Sequence, residues 1–466
     1  MRIRDFPGAS IARLIAVFLA RRGYLWMPAY LIDRIKKRNI ENPPHSLVDL
    51  IFCIVDHFEP ARSRGKLAVN DVNDWCDRYE NIARKYIDSS GIKCQHTWFY
   101  RYDFPNLDCV RRLARSASNG FGEIEFHLHH AYDTPTSFSA KIDEGLEWFS
   151  KSGAMLTAES IPQHRFGYIA GDWALDNGRR DPAYSGVNTE LSILNRLGCY
   201  ADFTFPAYGE TSQPRIVNQI YHTNDTPSPK SYDRGEPYQI GKITTSDLTI
   251  FEGPTFIDWK TGYVEMAALE SFHPYESKRL KYWQKAHVHV SGRPEWIFVK
   301  LHTHGMQSKE MILGEQLEHM LHDITKLRDT DNTRVHYVTA REAYNIAKAA
   351  EAGMSGNPSE YRDYQVSRPV NRQLFCNTEY KARKCSESDI ELVFPHPSKE
   401  TQIFLNNGPV REISGTSISR CQLTRDNDGA WTLALDGSNS CTYTVTSPQG
   451  IDIKNTIELP NTIQVK

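Results

Sequence analysis

From residue 45 to about residue 350 the chain alternates short apolar runs with longer amphipathic stretches, and this rhythm most restricts its fold. Parallel strands need crossovers of a dozen residues or more, usually helices, so strand–helix–strand alternation builds a parallel sheet covered by helices. Leu50–Val55 is apolar at every position, as a strand buried on both faces must be. Further strands are expected at Gln95–Tyr100, Glu123–His129, Gly167–Ala170, Ala201–Phe205, Thr249–Phe251, Pro294–Leu301 and Arg334–Val338. Helices are expected over 71–89, 106–118, 138–151, 188–197, 308–328 and 340–352. Six or seven such units are enough to close a ring, which predicts an α/β fold of the (β/α)7 barrel type over residues 45–355.

The pattern changes on either side. After residue 356, Asp389–Phe394, Thr401–Leu405, Trp431–Leu435, Cys441–Val445 and Thr456–Leu459 read as short strands between turns at Asn406–Gly408, Asp426–Gly429 and Pro448–Gly450. That predicts a small all-β sandwich over 356–466. Residues 209–247 lack periodicity and read as a long functional loop.

Residues 1–44 form a basic amphipathic head. Residues 1–38 hold nine bases and only Asp5 and Asp33 as acids, a charge of +7, which leaves −9 for the rest of a chain whose total is −2. The total excludes a nucleic-acid binder that works by bulk positive charge. The apolar run Ile11–Ala20 is interrupted by Arg13, followed by Arg21 and Arg22, and shorter than the roughly 20 residues a bilayer demands. Residues 9–38 are expected as short helices with Trp26, Tyr30 and flanking bases, suited to peripheral contact with an anionic membrane face. Two other placements suit the same residues: a cap on the barrel, or a contact between two copies in a homodimer. Nine scattered cysteines without a Cys-x-x-Cys pair read as reduced thiols of a cytoplasmic protein.

Three strand ends concentrate titratable groups. Asp56, His57 and Glu59 follow Leu50–Val55. In Glu123–Asp133, alternation sets Glu125, His127 and His129 on one face and Phe126 and Leu128 on the other, with His130 next. Two imidazoles at i and i+2 can chelate one divalent ion, and imidazole suits zinc, the ion expected here, and similar divalent metals. His302 and His304 end the strand at Leu301. In a barrel of parallel strands these carboxyl ends form the active-site rim. Weaker candidates are Arg165, Asp172, Trp173 and Asp202, and the aromatics Trp98, Tyr100, Tyr102, Phe203 and Tyr208, which suit sugar stacking or core filling.

In this order the motifs resemble those of the NodB-type polysaccharide deacetylases, carbohydrate esterase family 4, over about residues 45–350. The resemblance implies a distorted (β/α) barrel, one divalent ion, and hydrolysis of N-acetyl groups on a cell-surface or lipid-linked glycan. It places the catalytic base on Asp56, the acid on His302, an arginine that holds the base ionised on Arg165, and a tuning carboxylate on Asp202. His57 stands where the family has a metal-binding aspartate. Ala131 stands where it has its second metal histidine, so His129, His130 or Asp133 must replace it. The expected ligands are His57, His127 and His129, with Glu59, His130, Asp172, Trp173 and His304 toward substrate. Two other functions fit: a glycoside hydrolase using Asp56 with Glu59 or Asp202, and a non-catalytic glycan-binding protein. The enzyme is expected at the inner face of the membrane, where lipid-linked glycans are built.

Overall fold

The computed structural model describes residues 11–465 apart from 21, 39, 41–46, 61–65, 152–164, 205–211, 213–214, 231, 331, 370–373, 377–380, 386–388, 396, 398–399, 406–408, 427 and 447–451. Tyr208 and the turns at Asn406–Gly408 and Pro448–Gly450 lie outside the described residues. The chain divides into two compact units. The second consists of Val110–Asn119, Glu147–Ala158 and Pro369–Lys466, and the first is the remainder.

The first unit is α/β. Its strands are β1 (Val48–Phe58), β2 (His96–Arg101), β3 (Gly122–Leu128), β4 (Phe166–Ala170), β5 (Cys199–Asp202), β6 (Ile220–Thr223), β7 (Glu236–Pro237), β8 (Leu248–Phe251), β9 (Phe256–Asp258), β10 (Tyr263–Glu265), β11 (Trp296–Thr303) and β12 (Thr333–Val338). They form one large sheet in the order β11-β1-β2-β3-β4-β5-β8-β6-β7, with β12 also on β1; β9 and β10 form a separate hairpin. Pairing is parallel from β11 through β8, and β6 and β7 run antiparallel. The segment expected as a loop over 209–247 thus contributes β6, a strand of four residues and too short to show a period.

β1 is the axis of this sheet. β11 lines one edge over Asp49–Asp56, while β12 pairs with Val48–Cys53 and β2 with Val55–Phe58, so those two share the other edge in succession. Both edges and both faces of β1 are therefore covered, which accounts for its unbroken apolar sequence. Ile51, Cys53 and Val55 join a buried cluster with Phe99, Ile169, Phe203 and Phe298. The opposite face carries Asp56 and Phe58; the Phe58 ring packs edge-on against Trp75 of helix Lys66–Ala83 at 5.2 Å. A side chain's place on one face or the other follows from this alternation.

Residues 23–37 form a helix, here α2 after α1 (Ile11–Ala20), and it is seated on the α/β unit. Trp26 and Tyr30 are fully buried against Val217, Ile257 and Val264. The Tyr30 hydroxyl accepts the Ile257 N–H at 2.9 Å. Asp33 is buried, pairs with Lys37 at 2.8 Å and accepts from the Asn218 amide. The expected cap is therefore present on one side of this helix. Among the described residues no helix is long and apolar enough to cross a membrane.

The α/β unit runs beyond the expected boundary at residue 355. The Val366 carbonyl accepts from Arg341 at 2.7 Å and from the Asn345 amide at 2.7 Å, which ties the chain down to Arg368. In the second unit ten strands between Leu374 and Val465 make two five-stranded antiparallel sheets. Leu392, Ile403, Leu405, Ile413, Leu423, Leu433 and Leu435 share one core, a sandwich-like arrangement with more strands than the five expected. Seven described cysteines are free, and all are buried.

Candidate metal centre

Alternation along β1 puts His57 and, one step past the strand, Glu59 on the same face as Val55. On β3 it puts His127 on the face of Glu125, whose carboxylate accepts the Gly167 N–H at 2.6 Å inside the sheet. His129 follows on that face. The three groups meet. Glu59 Oε1 lies 3.2 Å from His127 Nε2 and 3.1 Å from His129 Nε2, and the two imidazole nitrogens are 3.1 Å apart. Among the described residues these form the one group of three ligand atoms that lie within 4.8 Å of one another.

The protons on these rings decide what the cluster needs. His127 Nδ1 faces the Ile169 carbonyl at 2.8 Å, which only accepts, so Nδ1 carries the hydrogen. His129 Nδ1 faces Asp172 Oδ2 at 3.1 Å, with the same result. Both neutral rings then turn an Nε2 lone pair toward a carboxylate oxygen. Three acceptors converge with no donor among them, an arrangement that a cation or an extra proton relieves. Outer partners that fix the tautomer in this way are the usual support of metal-binding histidines. Two histidines and one carboxylate with open positions suit zinc or another divalent metal of the first transition row.

Charge follows the same geometry. Burial works against ionisation of Glu59, yet His127 and His129 hold its carboxyl far below the usual range. Burial opposes protonation of His129 too, but Asp172 and Glu59 outweigh it and push it up to about 9. His127 is driven down, chiefly by burial.

Around the cluster opens a cavity of about 340 Å³ lined by His57, Glu59, Arg101, His129, Asp172, Trp173, His304 and Gln307. Arg101 grips Asp103 through three contacts of 2.8–3.0 Å and reaches Glu59 Oε2 at 3.4 Å; the Asp103 carboxylate accepts the His129 N–H. Asp172 and Trp173 hold φ of 52° and 54°, a left-handed pair that costs roughly 1–3 kcal/mol per residue and is found where function requires it. Gly171 before them allows β4 to end against His129, since a Cβ there would sit 2.7 Å from the His129 Cα. On the far side His304 donates from Nδ1 and from its backbone to Glu270 Oε1 at 2.7 and 2.8 Å. Ser308 braces the other oxygen of Glu270 at 2.5 Å. The His57 ring lies against His127 and His304, at 5.1 and 4.6 Å between centroids, with Nε2 buried and without a hydrogen-bond partner.

The structure redistributes several expected roles. Glu59, placed with the substrate, stands in the ligand cluster, and His57, expected as a ligand, sits beside it. Asp56 is on the outer face of β1, fully buried, where Oδ2 accepts from His96 at 2.8 Å and Oδ1 from the Gly305 N–H at 2.7 Å. It is not among the residues that line the cavity, and burial raises its pKa. Arg165 is exposed and precedes β4, at the end of the strand away from the cluster; the group that holds Asp56 is His96. Asp202 accepts from Thr204 at 2.7 Å in the sheet interior, where burial pushes it up to about 7, and it is not among the residues that line the cavity. His302 lies on the same face of β11 as Lys300, and its backbone N–H donates to the Ala267 carbonyl at 3.0 Å.

 The His302 carbonyl accepts the Leu269 N–H at 2.8 Å, and His302 is not among the residues that line the cavity. His130 is buried between Asp133 at 3.1 Å and Glu190 at 3.4 Å, a structural strut with no part in the cavity. Asp172, Trp173 and His304 line the cavity. Sequence reasoning missed His96, Arg101, Glu270 and Gln307. Glu270 comes from the irregular stretch after β10, which carries no period that would reveal it.

The outer partner of His129 gives the first test. Asp172→Asn is expected to weaken divalent-ion binding about 10–100-fold, measured by titration calorimetry, while the fold is kept. No protein-family model matches the chain, and no curated protein matches it in sequence.

Proposed function

We propose that the chain is a metal-dependent hydrolase that removes an N-acetyl group from an amino sugar. The observation that carries this reading is the convergence of Glu59 Oε1, His127 Nε2 and His129 Nε2 within 3.2 Å, beside a cavity that Glu59 and His129 line. A divalent ion held there, zinc by the chemistry of the donors, would polarise the amide carbonyl and lower the pKa of a water toward about 7.

The chain's own residues supply the rest. Glu270 orients His304 through Nδ1, which leaves Nε2 to hold or release a proton on the cavity side. Glu270 also raises the pKa of His304 against the opposing effect of burial. Arg101 and Gln307 fix the outer oxygen of Glu59. Trp173 offers a flat wall for a sugar ring, and Asp172 a carboxylate for its hydroxyls. The order of motifs, similar to that of the NodB-type deacetylases, supports the choice of an acetamide over other amides.

A distorted barrel is the finer fold that suits this reading. Between β6 and β11 irregular segments carry the hydrogen bonds: Tyr238 N–H to Ile220, Ser291 N–H to Tyr238 and Phe298 N–H to Val288, at 2.8–2.9 Å. They support a ring completed without a regular ladder.

The test is acetate release from a panel of N-acetylated oligosaccharides, with the protein stripped by chelator and then reloaded. Release that vanishes on stripping and returns with zinc is expected. Release indifferent to chelator, or none from zinc-loaded protein across the panel, would overturn the reading.

A further inference from the structure

α2 has two apolar faces, and only one is used. At 100° per residue Trp26, Tyr30, Asp33 and Lys37 lie together, and these are the residues seated on the α/β unit. Tyr24, Pro28, Leu31, Ile32 and Ile35 fall within an arc of about 100° on the opposite side. All five are exposed, Ile35 to 71% and Ile32 to 54%. Ile15 and Leu19 of α1 are exposed as well, at 52% and 62%. Isolated exposed apolar residues are ordinary, but an aliphatic stripe along one helix marks a contact surface.

Charge says what kind. Arg34 and Arg38 flank the stripe on one side and Lys36 on the other; Lys36 and Arg38 are exposed. The one acid among the described residues of α1 and α2, Asp33, is turned inward and neutralised by Lys37. Among the described residues of α1 and α2 the stripe is thus apolar with a cationic border and no anion. Two copies pairing through it would set these cations against one another, with no outward carboxylate among the described residues of α1 and α2 to answer them. A bilayer leaflet with anionic headgroups offers both what the stripe and what the border require.

We infer that the outer face of α2, with Leu31, Ile32 and Ile35 at its centre and Lys36 and Arg38 at its border, docks the protein on an anionic lipid leaflet. The helix lies in the plane of the surface, its inner face still on the protein. This inference stands apart from the metal centre and does not depend on the reaction.

The experiment is sedimentation of the full chain with phosphatidylcholine vesicles, with and without phosphatidylglycerol. The protein is expected to sediment with the anionic vesicles only, and less so as salt rises. Lys36→Ala with Arg38→Ala should weaken binding about 25-fold, at about fivefold per cation near the surface. Leu31→Glu with Ile35→Glu should abolish it, with the thermal midpoint unchanged because both side chains are exposed. Failure of the unaltered protein to bind anionic vesicles, or unchanged binding by the glutamate variant, would overturn the inference. So would a dimer that Leu31→Glu with Ile35→Glu dissociates while neither protein binds vesicles, for then the face joins two copies.

Discussion

A His127→Ala protein will lose divalent-ion binding by more than the 10–100-fold that removal of an outer partner costs. The alanine removes one of three converging donors and also leaves the Ile169 carbonyl without its 2.8 Å partner, so thermal stability falls with it. Glu59→Gln separates the two effects. The glutamine amide keeps the shape of the side chain but puts a neutral group where the negative Glu59 oxygen meets His127 and His129 Nε2. Ion binding is expected to collapse in this variant while the thermal midpoint of the ion-free protein falls less than in His127→Ala, because the side chain's shape and the His127 contact with Ile169 are kept. Zinc measured per chain after dialysis, alongside thermal melts, checks both. A Glu59→Gln or His127→Ala protein that retains one ion per chain at undiminished affinity would remove the centre from consideration.

The largest loss of stability is expected from Arg341→Leu. Arg341 is buried, and its guanidinium lies 2.7–3.2 Å from both oxygens of the buried Glu123. It also donates to Asp363 and to the Arg362 and Val366 carbonyls. Removal of one partner from such a pair strands the other charge, at a cost of about 3–5 kcal/mol. Glu123 would retain the Thr339 hydroxyl at 2.8 Å, too little for an ionised carboxylate in the interior. The melting midpoint should fall by roughly 10 °C. Adding Glu123→Leu should recover much of the loss, because no buried charge is then left over. Equal midpoints for the single and double variants would show that the packing of Arg341, and not its charge, matters there.

Periodicity made some of this legible and hid the rest. The alternation of Glu125, His127 and His129 with Phe126 and Leu128 assigns faces on β3 from sequence alone. β1 offers no such signal: a strand covered on both faces is apolar throughout, so nothing in Leu50–Val55 tells whether Asp56 or His57 points inward. That one-residue ambiguity set Asp56 among the expected site residues, although it lies on the face away from His57 and Glu59. Arg165 illustrates a second gap, since its place in the order of motifs does not say at which end of a strand it falls. Only the pairing of β4 with β3 and β5 shows that it precedes the strand. A third gap concerns short elements. β9 and β10, three residues each, are below the length at which a period can be read, and they bring in the stretch that holds Glu270.

The seating of α2 has a consequence in time. The Tyr30 hydroxyl meets the Ile257 N–H across 227 residues of sequence. At about 5–20 residues per second, a ribosome takes roughly 10–45 s to deliver that partner after Tyr30 is made. Throughout that interval Trp26 and Tyr30 lack Ile257 and Val264, which help to bury them in the finished protein. The nascent head is then apolar on both sides, and a nascent chain halted before residue 257 is expected to be far more prone to aggregate than the finished protein.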